Sequence, residues 1–219
     1  MTSLPTPPPQ DPLPTVASWL AEVTASRKLK NPNAMALATS RRDGAPSVRM
    51  VLVKELAPAG YAVFYSNYQS RKGAEIEQTA RAAGLLYWEL LGRQVRFEGP
   101  VVRSPAAESD AYFATRPALS QLNAWSSAQS RPLATPGDLD RAAARAASEL
   151  GIAPDGSSAS RAVPRPPHWG GYRLWFDTLE LWAEGTNRFH ERLLYRRSLE
   201  RADAISFRAG AWGVQRLQP

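Results

Sequence analysis

Four groups of basic and hydroxyl residues in this chain have the types and spacing to hold an anion. Ser70-Arg71-Lys72 opens an expected helix. The first helical turn carries unpaired N–H groups and a partial positive charge, so acidic residues are preferred there. Two cations in that turn run against the preference by about a few tenths of a kcal/mol. They make sense if a phosphate sits at the helix start, held by amides and cations together; otherwise they are solvated surface cations. The second group is Arg188-Phe189-His190-Glu191-Arg192, read as part of a strand. Alternation then puts Arg188, His190 and Arg192 on one face, and Phe189, Leu193 and Tyr195 on a core-facing other. Three basic groups side by side repel one another unless solvated or met by an anion. An exposed basic edge strand, which resists aggregation, is the alternative.

The third group is Tyr112-Phe113-Ala114-Thr115-Arg116 with Ser120. Tyr112 and Arg116 lie four apart on an expected helix and share a face. Pro117 stops that helix, and Ser120 can turn back toward the same face, giving two hydroxyls and a guanidinium around one point. A plain tyrosine–arginine surface pair is the competing reading. The fourth is Arg49-Met50-Val51-Leu52-Val53-Lys54, an apolar strand with a cation near each end. Strict alternation sends Arg49 and Lys54 to opposite faces, so they serve one site only through a bulge or strong twist, or by contacting different groups.

Other chemistries drop out. Cysteine is absent, which removes disulfides, thiolate catalysis and cysteine-bound metals, and only His168 and His190 are histidines, so no metal site is expected. His168, beside Pro166-Pro167 and Trp169-Gly170-Gly171, reads as structural. Glu75 and Glu77 fall on an expected helix surface and suggest no acid–base pair. The seven tryptophans and seven tyrosines are mostly expected in the core, although such rings also stack on planar ligands. The formal charge is +7, and all 27 basic residues except Lys28, Lys30, Lys54 and Lys72 are arginine. That balance attracts nucleic acid, membrane surfaces or small phosphorylated molecules. Clustering of the cations into compact sets rather than a stripe disfavours nucleic acid. No GxGxxG or Walker loop is present.

The elements that must position these groups are mostly short strands. Six prolines in residues 1–14 predict a flexible arm, and residues 15–219 a single domain. Val16, Trp19, Leu20 and Val23 have helical spacing, to about Ser26. Strands are expected over Ala34–Thr39 and Ser47–Lys54 around an Arg42-Asp43-Gly44 turn, then at Tyr61–Ser66, Leu85–Glu89 and Gln94–Arg103. Three further strand signals follow: Tyr172–Phe176 into Leu179–Trp182, Arg188–Tyr195, and Trp212–Leu217. Helices are expected from Ser70 to about Arg81, from Ser104 to Pro117, over Leu119–Ser130 and over Asp138–Leu150, with a loop at 151–168. Hairpins without regular crossover helices predict a mainly β (α+β) fold, an antiparallel barrel with peripheral helices. No apolar run nears the ~20 residues of a membrane span, and the N-terminus lacks a secretion signal, so a cytoplasmic protein is expected.

Taken in order, these segments resemble the pyridoxine/pyridoxamine 5'-phosphate oxidase family. The matching pieces are Asn33-Ala34-Met35 with Ala38-Thr39, Arg49 to Lys54, and Phe64-Tyr65-Ser66-Asn67 with Ser70-Arg71-Lys72. Arg93-Gln94-Val95, Tyr112-Phe113 with Arg116-Pro117 and Ser120-Gln121, Ala124-Trp125 with Gln129-Ser130, and Trp169-Gly170-Gly171 follow. Trp182, Thr186 through Arg192, and the closing Arg216-Leu217-Gln218-Pro219 complete a likeness over roughly residues 11–219.

The resemblance implies an FMN-binding split β-barrel, a homodimer with the flavin at the subunit interface. It implies FMN contacts at Arg49, Met50, Val51, Leu52, Val53, Lys54, Tyr65, Ser66, Arg71, Lys72, Gln94, Gln129, Ser130, Trp182 and Arg192. Substrate contacts are implied at Lys54, Tyr112, Arg116, Ser120, Arg188 and His190, with Arg188 and His190 as the catalytic pair. The implied reaction passes a hydride from the 4'-carbon of a phosphorylated pyridine to the flavin; dioxygen then reoxidises the flavin and hydrogen peroxide leaves. Three departures stand out: Glu191 replaces the family's usual Asp, the proline-rich arm lacks the arginine and tyrosine that relatives can carry there, and the Asp155–Arg165 loop has no clear match. The alternatives are a phenazine-biosynthesis type of flavin oxidase, which shares the Arg-x-His-Glu-Arg strand, and a non-enzymatic flavin carrier. The intact Tyr112, Arg116, Ser120 set favours the vitamin B6 reading.

Overall fold

A computed structural model describes residues 3–153, 159 and 162–219; the expected loop over 151–168 therefore lies partly outside the described residues. The first helix, α1 (Leu13–Ala25), begins where Asp11 accepts the Leu13 amide at 3.0 Å, and it buries Val16, Trp19 and Val23. Their three- and four-residue spacing is that of one helical face. The expected first hairpin is present as β1 (Ala34–Ser40) and β2 (Pro46–Ala57), in antiparallel register from Ala34 opposite Leu52 to Ser40 opposite Pro46. Gly44 closes its turn at φ +85°, a conformation that favours glycine.

Then come β3 (Tyr61–Asn67), α2 (Arg71–Thr79), β4 (Arg81–Trp88) and β5 (Arg93–Arg103). Helix α2 ends two residues earlier than expected, because Ala80 turns left-handed at φ 52° and Arg81 enters the sheet opposite Pro100. Three peripheral helices follow: α3 (Ala106–Ala114), α4 (Ala118–Ser126) and α5 (Pro136–Leu150). Reciprocal bonds between Thr135 and Asp138 start α5, which makes it two residues longer than expected. The chain closes with β6 (Trp169–Trp175), β7 (Thr178–Ala183), β8 (Glu191–Arg196), β9 (Leu199–Arg201), β10 (Phe207–Ala209) and β11 (Gly213–Leu217).

Strand order explains the architecture. The nine-stranded sheet runs β11-β8-β7-β5-β4-β1-β2-β3-β6, and an added β5–β6 pairing closes six of its strands into an antiparallel barrel. Strand β5 serves both parts, pairing with β7 over Arg93–Glu98 and with β6 over Val101–Arg103. The switch falls at Gly99-Pro100, where a Cβ on residue 99 would lie 2.0 Å from the Trp175 carbonyl oxygen. Only glycine allows that approach. Met35, Leu37, Phe64, Leu86, Val95 and Phe97, all fully buried, belong to the core. Each contributes about 1.5–3 kcal/mol by leaving water. A second cluster of Phe113, Leu122, Leu150 and Trp169 holds the peripheral helices against β6. Among the described residues, no helix is long and apolar enough to cross a membrane.

Residues 3–12 form no helix or strand. Leu4 is nevertheless buried in the core cluster, and its amide donates to Glu191 Oε2 at 2.9 Å. Arg216 donates to that carboxylate and to the Pro5 carbonyl, both at 3.2 Å.

Candidate active site

A cleft of about 740 Å³ lies between β2, β3 and the peripheral helices, within the size range of small-molecule sites. Alternation on β2 supplies one wall: Met50, Leu52 and Lys54 point outward together, while Val53 is buried at 3% exposure. Val51 also lines the cleft. The register shift between Val53 and Glu55 falls at Lys54 itself, yet Lys54 still lines the cleft with Met50 and Leu52, while Arg49 turns to Thr39, Ser47 and Glu75. The structure therefore answers the sequence question: these two cations contact different groups.

One end of the cleft is built on the start of α2. Ser70 caps the helix, and the Lys72 ammonium donates to Ser66 Oγ (3.1 Å), Ser70 Oγ (3.2 Å) and Gln129 Oε1 (2.9 Å). Burial, and next the Arg49 charge, push Lys72 down to about 8 against the opposing pull of Glu75. At the other end, Arg116 lies with its guanidinium 4.5 Å from the Trp169 ring centre and 5.6 Å from that of Phe113. Its NH1 is buried without a hydrogen-bond partner, and burial lowers its pKa. Lys54 Nζ is 5.7 Å from the Tyr112 ring centre, and Ser120 lines the cleft beside them. Between the two ends runs an aromatic wall: Tyr65 stacks on Tyr112 at 4.0 Å and on Trp169 at 5.3 Å.

The remaining expected site residues lie elsewhere on this chain. Gln94, Trp182 and Arg192 line a smaller cleft of about 210 Å³, with Arg96, Glu180 and Pro219. Glu180 grips Arg192 through two bonds of 2.8 and 3.1 Å, which raises the guanidinium pKa. His190 lies nearby, its ring 4.6 Å from that of Trp182 and its Nδ1 accepting the Gly185 amide at 3.3 Å. Ser130 sits in a turn at φ 70°, outside both clefts.

Two expectations need correction. The strand expected from Arg188 begins only at Glu191, because Asn187 and Arg188 are left-handed at φ 55° and 67°. Alternation therefore cannot place Arg188, and Phe189 is 74% exposed rather than core, whereas Leu193 and Tyr195 are fully buried as expected. Glu75, expected on a helix surface, is only 2% exposed. It accepts from Thr39, from Ser47 at 2.5 Å, from Arg49 at 3.2 Å and from Arg71 at 2.9 Å. Its place between Lys72 and Ile76 on the buried face of α2, four residues after Arg71, was the signal available in the sequence. Trp169, of the Trp169-Gly170-Gly171 motif, is the ring under Arg116. His168, expected to be structural, has its Nε2 2.9 Å from the Ala124 carbonyl oxygen.

Solved structures of similar chains share this fold. A protein named PhzG from Burkholderia lata 383, solved with tetrahydrophenazine-1-carboxylic acid, superposes with a TM-score of 0.81 at 32% identity, over 97% of this chain and 94% of that one. A pyridoxamine 5'-phosphate oxidase-related, FMN-binding protein from Nostoc punctiforme shares the fold at a TM-score of 0.67 and 15% identity, over 95% and 98% of the chains. The fold is that of the split-barrel class. Residues 23–149 match the family model described as pyridoxamine 5'-phosphate oxidase, and residues 169–219 match that of the pyridoxine 5'-phosphate oxidase C-terminal dimerisation region. Proteins named pyridoxine/pyridoxamine 5'-phosphate oxidase are 42% identical in Paracoccus denitrificans (95% of each chain) and 46% identical in Rubrobacter xylanophilus (95% of this chain, 87% of that one). The chain belongs to the pyridoxine/pyridoxamine 5'-phosphate oxidase family.

Proposed function

We propose that this protein is an FMN-dependent oxidase that converts pyridoxamine or pyridoxine 5'-phosphate to pyridoxal 5'-phosphate. The observation that carries the reading is the pair of cationic ends joined by an aromatic wall, with a buried Arg116 nitrogen left without a partner at one of them. A buried polar group of that kind is costly unless a ligand completes it. Two ends suit two phosphate esters, one on a cofactor and one on a substrate.

The donors fit FMN. Lys72, Ser66 and Gln129, with the start of α2, supply charge and hydrogen bonds for its phosphate, and Met50, Val51 and Leu52 supply an apolar strand for a ring. FMN held there would supply the redox chemistry: a two-electron acceptor for the substrate's hydride that dioxygen can reoxidise, with hydrogen peroxide as the by-product. Lys54, Tyr112, Arg116 and Ser120 hold the substrate phosphate, which supplies binding energy remote from the reacting carbon. Arg188 and His190 orient the pyridine and manage its proton.

Gln94, Trp182, Arg192, Arg188 and His190 stand apart from the large cleft on their own chain. The reading therefore requires a homodimer, in which one protomer's set completes the other's cleft. Support comes from the family's dimerisation region over residues 169–219. It comes also from apolar side chains left outside: Val48 (68%), Met50 (61%) and Phe189 (74%). Exposed apolar area of this kind marks an interaction surface.

The test is Arg116→Ala. Loss of a charge-assisted phosphate contact is expected to raise KM for pyridoxamine 5'-phosphate by about ten- to a hundredfold with the flavin still bound. Loss of flavin from this variant would mean that the two phosphate ends are assigned the wrong way round. The 32% identity to PhzG supports a second reading, oxidation of a reduced phenazine carboxylate; peroxide formed from that ring but not from pyridoxamine 5'-phosphate would establish it.

A further inference from the structure

We infer that Glu75 is a positioning residue for cofactor binding, holding Arg49 and Arg71 in place around the phosphate end of the cleft. The inference rests on the FMN reading above and deepens it. Glu75 is 2% exposed, yet it is surrounded by donors rather than apolar groups. One carboxylate oxygen receives Thr39, Ser47 (2.5 Å) and Arg49 NH2 (3.2 Å). The other receives Arg71 Nε at 2.9 Å. Arg49 is fixed further by the Leu37 carbonyl (3.0 Å) and Thr39 Oγ1 (2.6 Å). One side chain thus ties the β1–β2 hairpin to the first turn of α2, the turn that carries Lys72.

Charge supplies the reason for an acid here. Arg49, Arg71 and Lys72 bring three positive charges to this corner, and Glu75 brings one negative, leaving a sum of +2. A phosphate ester near neutral pH carries about −1.5 to −2. Without Glu75, the three cations would face one another uncompensated, and the two arginine side chains would lose the acceptor that fixes them. Burial by itself would raise the Glu75 carboxyl; the hydroxyls of Ser47 and Thr39, then Arg71 and Arg49, outweigh it and bring it to about 2, so the charge persists at working pH. A carboxylate pointing at the ligand would repel phosphate. This one is enclosed by its donors, so its effect passes through the guanidiniums.

The experiment compares FMN with riboflavin, which lacks the phosphate, on full-length protein stripped of flavin. Dissociation constants come from flavin fluorescence quenching, and melting temperature is recorded alongside. Glu75→Gln keeps the shape and removes the charge. It is expected to weaken FMN by about tenfold or more while riboflavin stays within about twofold, so the ratio between the ligands collapses. Equal weakening of both flavins with a lowered melting temperature would mean a purely structural role and would overturn the inference, as would an unchanged ratio. Should Glu75→Gln fail to fold, Glu75→Asp is measured in the same way; the shorter carboxylate cannot reach both guanidiniums, so a reduced ratio supports the inference and an unchanged one overturns it. Failure of the unmodified chain to bind FMN at all would sink the cofactor reading and this inference with it. Normal FMN binding by the unmodified chain with an unaffected Glu75→Gln would sink the inference alone.

Discussion

Lys72 shows how strongly one residue's neighbours set its chemistry. Buried among Ser66, Ser70 and Gln129, with Arg49 nearby, its ammonium is pushed down to about 8 in the flavin-free protein. The unfolded chain holds that proton up to about 10.4. Between these values the unfolded state binds more protons, so Lys72 makes stability rise with pH across that window. A phosphate at this end reverses the preference, because it favours the charged form. FMN affinity is therefore expected to hold through neutral pH and to fall as pH rises past about 8, with no such fall for riboflavin. Lys72→Met should bind FMN more weakly and lose the dependence; a pH titration of both dissociation constants checks this, and a flat FMN profile in the unmodified protein would refute it. At this scale the sequence was informative where a residue's local geometry was regular. Lys72 could be placed by its position in a helical turn, and Lys54 by strand alternation. Arg188 could not, because alternation requires extended backbone and the chain turns left-handed at Asn187 and Arg188. Glu75 was misplaced by treating a charged helical residue as solvated, although Arg71 one turn earlier shares its face.

Among the elements, the junction of α2 and β4 shows tertiary pairing overruling local preference. Ala80 through Ala83 is a helix-favouring stretch, and the helix was expected to run through it to about Arg81. Pairing of Arg81–Trp88 with β5 pulls these residues into the sheet instead. The cost appears at Ala80, a non-glycine residue at φ 52°. Ala80→Gly is expected to stabilise the protein by about 0.5–1 kcal/mol, a rise of roughly 1–4 °C in melting temperature; a fall on thermal denaturation would contradict this account of the helix end. The first hairpin was legible because the Arg42-Asp43-Gly44 turn separates two largely apolar runs. The β9–β10 pair was not, since three-residue strands carry too little alternation to register.

Considered whole, the molecule divides most of its expected site residues between two clefts, and the exposed apolar face of β2 borders the larger one. A barrel with peripheral helices could be foreseen from hairpins without crossover helices. Its closure could not, because the β5–β6 pairing that completes it joins strands some seventy residues apart. The homodimer proposed above predicts a species of about twice 24.0 kDa in sedimentation. It also predicts that Met50→Glu, which places a charge on that apolar face without touching the core, lowers dimer content and flavin binding together. Flavin retained at full affinity by a monomeric variant would show that one chain suffices.

The central claim, that one cleft brings a flavin and a phosphorylated pyridine together, is tested most directly by a visible absorption spectrum of the purified protein before and after anaerobic addition of pyridoxamine 5'-phosphate. The account predicts an oxidised flavin spectrum that bleaches on addition and recovers on admission of air. A flavin spectrum indifferent to that substrate, or no flavin even after reconstitution with FMN, would contradict it.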